Sequence, residues 1–413
     1  MTGLIHAGAG TRAVTLIVGG QPVDMWTRVN INRQLTDLSG SFELEMRDPP
    51  RHLATFPWTT PGAGGPVKFG EPCEVAVDGE IILKGWIEDV HPYVEEGRAY
   101  LSVGGRDVTC DPVDCPPDPR GKHEYRNVTL LEGAKRVLAK WPNITVRAEV
   151  DVGKPFDKWT VDAGETALSS IEKHARKRAI LVTSDGVGGV VLTRSGKTRA
   201  PGSLVLPGNV LSLGGNFSAR ERFSDYFVKG GSEKSGGRKG DPALDAEAAP
   251  LGQSKEAEGD QSGEGHAEAA GSLVMGHAKD PEVTRWRPFV NLSRTNTSQG
   301  DAQTYADWLM RTRRGKSEQA DYEVMGWRGA SGGLWRLNQL VFIDDSFSMM
   351  TRDQLIHGIS YQYSARGERT RIRVCGPEAY DRLPEGERRN NKGGGRSGGG
   401  GKGGGLDSTA NPL

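Results

Sequence analysis

Few residues in this chain are of a type and spacing that could do chemistry. Two adjacent acid pairs, Glu88-Asp89 and Asp344-Asp345, stand at the ends of alternating apolar runs. A pair of carboxylates is the equipment of a glycosidase, although acids at strand ends ordinarily mark solvated turns. Ser195-Gly196-Lys197-Thr198 copies the end of a phosphate-binding loop. The full motif needs a glycine five residues before Gly196, where Val191 stands, and a helix after it, where Pro201 follows. His174 lies among Lys173, Arg176, Lys177 and Arg178 in the last turn of an expected helix. Positive charge there complements the helix dipole, so His174 reads as a dipole partner and not as a proton carrier. The cluster Arg311, Arg313, Arg314 and Lys316 could touch phosphate, and a helix C-terminus explains it equally well.

The remaining candidates point away from catalysis. Cys110 and Cys115 are close in sequence, but a zinc site wants a second close pair, and Cys73 and Cys375 stand alone. Trp26, Trp86, Trp327 and Trp335 fall in or beside expected strands and read as core or subunit-interface residues before a sugar platform. No G-x-S-x-G, H-E-x-x-H or D-x-D-x-D-G loop occurs. No catalytic, cofactor-binding or metal-binding residue is therefore assigned, and the reading is a binding or assembly protein, not an enzyme.

The elements that would hold these residues are mostly strands. Val14, Leu16 and Val18 alternate with Thr15 and Ile17; Val29 and Ile31, then Phe42, Leu44 and Met46, repeat the period of two. Strands resume at Cys73–Val77, Ile81–Val90 and Ala99–Val103 after a proline-rich loop over 48–72. Residues 1–112 are thus expected to form a first β-barrel-like domain. The period then changes. Thr129 with Glu132 forms a capping box before the apolar face Leu131, Ala134, Val137 and Leu138. A second helix over 165–179 and a hairpin around Ser184-Asp185-Gly186 complete an α/β module over 120–200. A second β-barrel-like domain is expected from 201–230, 273–297 and 330–382, with a small helix–strand module at 298–329. Residues 231–272 lack aromatic side chains and abound in Gly, Glu, Ala and Lys, which predicts a disordered insertion. The Gly-rich run within 383–413 predicts a flexible tail. The fold class is β-rich α+β, with two similar barrel-like domains alternating with small α/β modules.

The chain has 413 residues, with 53 Lys+Arg against 53 Asp+Glu. A zero net charge argues against duplex nucleic acid as a gripped partner, which needs a basic excess. No apolar run is long enough to span a membrane, and Met1–Arg12 lacks the pattern of a secretory signal.

Several blocks in order along the chain resemble the baseplate hub family of phage Mu, also described as late-control-protein-D-like. They are Val14–Gly20, Trp26–Val29, Gly40–Glu45, Gly104–Asp107 with Asp114-Cys115, Leu168–Ser184, Arg222–Gly230, Asp280–Pro288 and Gly326-Trp327. The resemblance implies a trimeric hub in a contractile tail's baseplate, part of the virion and assembled in the host cytoplasm. It implies two similar β domains per chain, so that three chains present six platforms to the six-fold tail tube. The other face would hold a three-fold central spike, with further baseplate proteins around. DNA would pass through without specific binding, with no cofactor and no membrane insertion. The linker at 231–272 and the Gly-rich tail depart from the family pattern. The other function class is a tail-associated carbohydrate-binding or cell-wall-degrading protein, using an acid pair and exposed tryptophans.

Overall fold

The computed structural model describes residues 13–24, 26–48, 67–95, 98–196, 198–231, 273–292 and 299–381. The expected disordered insertion, Gly231 apart, and the expected flexible tail over 383–413 lie outside the described residues.

The chain begins with β1 (Val14–Val18), β2 (Gln21–Val23), β3 (Arg28–Gln34), β4 (Ser41–Asp48), β5 (Pro72–Val77), β6 (Glu80–Glu95) and β7 (Arg98–Asp107). The period of two read from the sequence is the burial pattern observed: Val14, Leu16 and Val18 face inward, as do Phe42, Leu44 and Met46. A short helix, α1 (Cys110–Asp114), follows.

The α/β module then runs through β8 (Glu124–Val128), α2 (Leu130–Val137), β9 (Thr145–Ala148), β10 (Phe156–Thr160), α3 (Ala167–Arg176), β11 (Leu181–Ser184) and β12 (Gly189–Thr193). The capping box at Thr129 is formed: Glu132 N–H donates to the Thr129 hydroxyl and Thr129 N–H to the Glu132 carboxylate. The apolar stripe of α2 and that of α3 close over Trp159, which is fully buried. Gly133 lets the helix approach, since a Cβ there would lie 2.4 Å from the Trp159 ring.

The second half comprises β13 (Thr198–Arg199), β14 (Leu204–Leu206), β15 (Val210–Phe217), β16 (Asp225–Gly231), β17 (Leu273–Lys279), β18 (Pro288–Leu292), α4 (Gln299–Ser317), β19 (Glu318–Met325), β20 (Gln339–Asp345), β21 (Met350–Ser364) and β22 (Gly367–Cys375). A 3-10 turn at Pro377–Tyr380 closes the described chain.

Here the structure groups three segments differently from the sequence reading. Residues 225–231 and 273–292 belong not to the second barrel but to a separate three-stranded sheet, ordered β17-β16-β18. Helix α4 covers that sheet, packing Ala302, Ala306 and Leu309 against Tyr226, Val228 and Val274. The strand after the helix, β19, leaves the module and enters the barrel sheet between β15 and β22. A period of two announces a strand but not its partner, which is chosen by contacts far away in sequence.

All strands of both barrel-like domains form one fourteen-stranded sheet. One continuous core runs beneath it from Val14 to Val374. Its largest fully buried members include Trp26, Trp327 and Trp335.

Candidate functional site

The feature that distinguishes this molecule is a duplicated platform, not a pocket. In the first barrel the sheet runs β1-β5-β6-β7-β4-β3, and in the second β14-β20-β21-β22-β19-β15. Numbered by rank within each domain, leaving out the short β2 and β13, both orders are 1-4-5-6-3-2. One orientation differs, since β1 is antiparallel to β5 whereas β14 is parallel to β20.

The equivalence extends to single residues. The fifth-ranked strand is long in both domains and carries one bulge against the sixth, at Glu88 in β6 and at His357 in β21. Superposing the bulges matches Ile87 with Ile356, Val103 with Ile372, Leu44 with Tyr322 and Phe42 with Ala320, and all eight are buried. Ahead of each bulge the chain makes the same turn. Gly70 (φ 80°) donates its N–H to the Ile87 carbonyl at 2.6 Å, and Asn338 (φ 60°) donates to the Ile356 carbonyl at 3.0 Å. Both positions lie in the left-handed region that glycine and asparagine tolerate.

The two barrels are joined edge to edge. The second half of β21 pairs antiparallel with β3, Gly358 opposite Gln34 through Tyr363 opposite Val29. Polar side chains bind across this seam. Asn32 accepts from the Ser360 hydroxyl at 2.9 Å and from Arg373 at 2.6 Å. Leu35 N–H extends the seam to the His357 carbonyl at 2.7 Å. At the far end Arg328 holds Asp78 at 3.1 Å, and Arg336 pairs with Glu80.

Two buried polar knots fix the modules to this sheet. In the first, the fully buried Asp107 carboxylate accepts from the N–H groups of Gly40 and Thr109, each at 2.9 Å. Burial pushes its pKa up, against the opposing pull of Thr109, Gly40 and the nearby Arg33 charge. Arg33 in turn donates to the Ser184 carbonyl at 2.6 Å, tying the α/β module's hairpin to the barrel. In the second, Arg222 grips the fully buried Asp280 with two hydrogen bonds, 2.6 and 3.0 Å, and Glu282 with a third. Ser224 donates to Asp225 at 2.7 Å, and Asp225 meets His277 at 2.8 Å. The block Arg222–Asp225 is thus the polar foundation of the second module, a use that its sequence does not announce.

The sequence-derived candidates for chemistry do not converge. Asp344 and Asp345 point to opposite faces of β20, and Glu88 and Asp89 are both exposed at the β6 bulge. Glu88 is held by Arg106 in a two-pronged ion pair, beside an exposed Asp89. Asp345 is buried while Asp344 is exposed. Burial acts to raise the Asp345 pKa, but hydrogen bonds from Ser348, Tyr322 and Phe347 outweigh it and hold the carboxylate below its ordinary range. Such an acid anchors a turn.

His174 corrects the dipole reading. It is 2% exposed and stacks on Trp159 at 3.9 Å, with Nδ1 against the Ser170 carbonyl at 2.8 Å. Burial pushes its pKa down to about 4, so it is a neutral core residue at pH 7. The basic cluster on α4 is largely spent internally. Arg313 lies over the Phe289 and Phe223 rings, Arg314 pairs with Glu282, and Arg311 approaches Asp381. Thr198 lies in a strand, so Ser195–Thr198 does not open a helix; Lys197 is outside the described residues.

Trp26, Trp327 and Trp335 are buried and Trp86 is partly buried, so these four do not make a sugar-stacking platform. Cys73, Cys110 and Cys375 are buried thiols and Cys115 is exposed. Among the described residues no group of three His, Cys, Asp or Glu side chains could hold a metal ion, and no helix is long and apolar enough to cross a membrane. Phe342 is 41% exposed although it lies in an apolar run, because Val341 and Ile343 take the inward positions of β20.

Comparison with known proteins agrees with this architecture. Residues 13–107 match the family model of the Mu phage baseplate assembly protein GpP-like N-terminal domain. Residues 109–194 match the second domain of baseplate hub protein gp44-like proteins, and residues 298–383 the fourth domain of GpP. The baseplate hub protein gp44 of Escherichia phage Mu is 30% identical over 390 residues, 93% of each chain. A 43 kDa tail protein of prophage MuSo2 from Shewanella oneidensis is similar in structure, with TM-score 0.72 and 30% identity over 90% of this chain and 99% of that one. A tail protein from Neisseria meningitidis MC58 shares the fold, with TM-score 0.67 and 20% identity over 89% of this chain and 98% of that one.

Proposed function

The chain belongs to the phage Mu baseplate hub family, a tail component of the virion, and we propose that three copies of it form a ring that adapts six-fold to three-fold symmetry. Each chain contributes two barrels to one face of the ring, giving six platforms under the six-fold tail tube. One module follows the last strand of the first barrel and the other is inserted within the second, so the two break the six-fold pattern and leave a three-fold face for the central spike. The bore is part of the path taken by DNA.

One observation carries this reading. The two barrels share one strand order and are joined side by side in a single sheet. A monomer that needed only a stable core would gain nothing from repeating the same sheet at its own edge. A ring of like units would gain a platform of doubled symmetry from half the chains. The chain's balance of 53 basic and 53 acidic residues is compatible with a bore that passes DNA without holding it, since holding it requires released counterions and a basic excess.

The role is structural, without catalysis. The acid pairs are divided between opposite faces or engaged in ion pairs and turns, which supports that reading over wall hydrolysis. Light scattering of the purified chain tests the proposal: a trimer mass without lytic activity on cell walls is expected. A monomer both in solution and in assembled tails, or wall hydrolysis by the well-folded chain, would contradict it.

A further inference from the structure

A ring of three chains needs a joint between chains, and the seam inside each chain is a template for it. Within one chain, the second half of the fifth-ranked strand of barrel two, β21, pairs with the second-ranked strand of barrel one, β3. The counterparts of those two strands are β6 and β15. Among the described residues, the second half of β6 pairs only with β7, and β15 pairs only with β19. Among those residues each therefore has one edge without a paired strand at the place where its counterpart is occupied. An open edge of this length is an invitation to pairing that proteins cover or guard.

We infer that the second half of β6 in one copy pairs antiparallel with β15 of the next copy, in the register of the internal seam. The inference rests on the ring reading above and names its joint. Asp89 follows the bulge in β6 as Gly358 does in β21, and Ser218 occupies the place of Gln34. Carrying over the register sets Asp89 opposite Ser218, Val90 opposite Phe217, His91 opposite Asn216 and Pro92 opposite Gly215.

Three observations support this occupant. Asn216 falls where Asn32 stands in the internal seam, and Asn32 is the residue that binds side chains across it. Phe217, 54% exposed at the open edge, gains a β-branched partner in Val90, a favourable cross-strand pair. Pro92 has no N–H to give, so at Gly215 the joint carries one hydrogen bond fewer than the internal seam does at Ile31. The charges are complementary as well. Arg220 and Lys316, beside Glu221 and the ring-stacked Arg313, line the cleft at the Phe217 end of β15, and the exposed Asp89, next to the Arg106-bound Glu88, sits at the corresponding end of β6. Because β6 and β15 are different surfaces, the contact is head-to-tail and propagates around a ring until it closes.

Paired cysteines in full-length protein assembled into tails test the joint. In a Cys115→Ser background, His91→Cys with Asn216→Cys places one thiol on each side at directly opposed positions, within the Cα separation that a disulfide requires. Oxidation is expected to give covalent trimer on a non-reducing denaturing gel. Pairing His91→Cys with Gly214→Cys, a slip of two residues, is expected to give about tenfold less. Tails that contain a trimer but yield no covalent trimer from the matched pair, or as much from the slipped pair, would overturn the joint and leave the trimer standing. Tails in which the chain is not trimeric would overturn both. Charge reversal provides a second reading that needs no disulfide: Arg220→Glu is expected to weaken trimer association in solution about tenfold, and Asp89→Arg to restore it. Equal association in all three proteins would count against the joint.

Discussion

The two barrels repeat one sheet order but differ in what is attached to it. In the first, residues 35–40 connect the second- and third-ranked strands directly. In the second, the same connection holds a three-stranded sheet and the nineteen-residue helix α4. The residue that closes the sixth-ranked strand differs in the same spirit. Barrel one has Asp107, whose carboxylate fastens the 35–40 turn and faces the Ser184 hairpin. Barrel two has Gly376 at the matching position, where a Cβ would lie 2.7 Å from the Gly315 Cα, so the strand end and helix α4 meet backbone to backbone. The strands that form the internal seam keep their register while connections and closing residues diverge. The sheet is therefore the part under common constraint, and the attachments give each barrel its own neighbours.

Changes inside the shared sheet should be the most damaging. Trp335→Ala in barrel two removes a fully buried ring and is expected to cost about 3–5 kcal/mol in urea unfolding. A cost below 1 kcal/mol would mean that this core is not packed as described. The next largest effect concerns the attachments. Asp107→Ala strands the N–H groups of Gly40 and Thr109 and should cost about 2–4 kcal/mol. Gly376→Ala in the same assay should cost about 1–3 kcal/mol, with increased hydrogen exchange confined to α4. If the two changes loosen the same module, the contrast between barrels is wrong.

His174 provides a pH test that belongs to the first module alone. Its folded pKa of about 4 lies below the ordinary 6.5, so the unfolded chain binds a proton that the folded chain refuses. The contribution from keeping it neutral is fully present above pH 6.5 and is lost as pH falls from about 6.5 to about 4. It amounts to about 3 kcal/mol. His174→Phe should flatten that part of the stability profile, and an unchanged slope would place the proton elsewhere. The smallest effects are expected on the outer face. Phe342→Ala, at a side chain 41% exposed, and Glu88→Gln, in a solvent-facing ion pair, should each cost less than about 1 kcal/mol. Ile343→Ala, one residue along and fully buried, should cost about 2–5 kcal/mol. That adjacent contrast checks the register of β20.

Strand periodicity made most of the sheet legible in the sequence. Val14–Val18, Phe42–Met46 and Thr370–Val374 alternate cleanly, and their inward residues are those buried. The α2 capping box was legible for the same reason, since its signal lies within four residues. Sheet membership was not legible. Residues 288–292 and 318–325 both read as strands, and only long-range pairing sends the first to the inserted sheet and the second to the barrel. His174 was misread because its basic neighbours dominate the local pattern, whereas its environment is set by Trp159, fifteen positions earlier in the chain. The reach of β15 to Phe217 was hidden by Gly214 and Gly215, which carry no side chain to continue the alternation. The buried partner of Arg222, Asp280, lies beyond the long insertion, so no local window could have joined them.

A reconstruction of the assembled tail tip by electron cryo-microscopy tests the central claim most directly. The account predicts three copies of this chain around the tail axis, with their six barrels at one radius, about 60° apart, and first and second barrels alternating. The inserted modules should repeat only three-fold on the spike side. Barrels at two different radii, or any number of copies other than three, would contradict it.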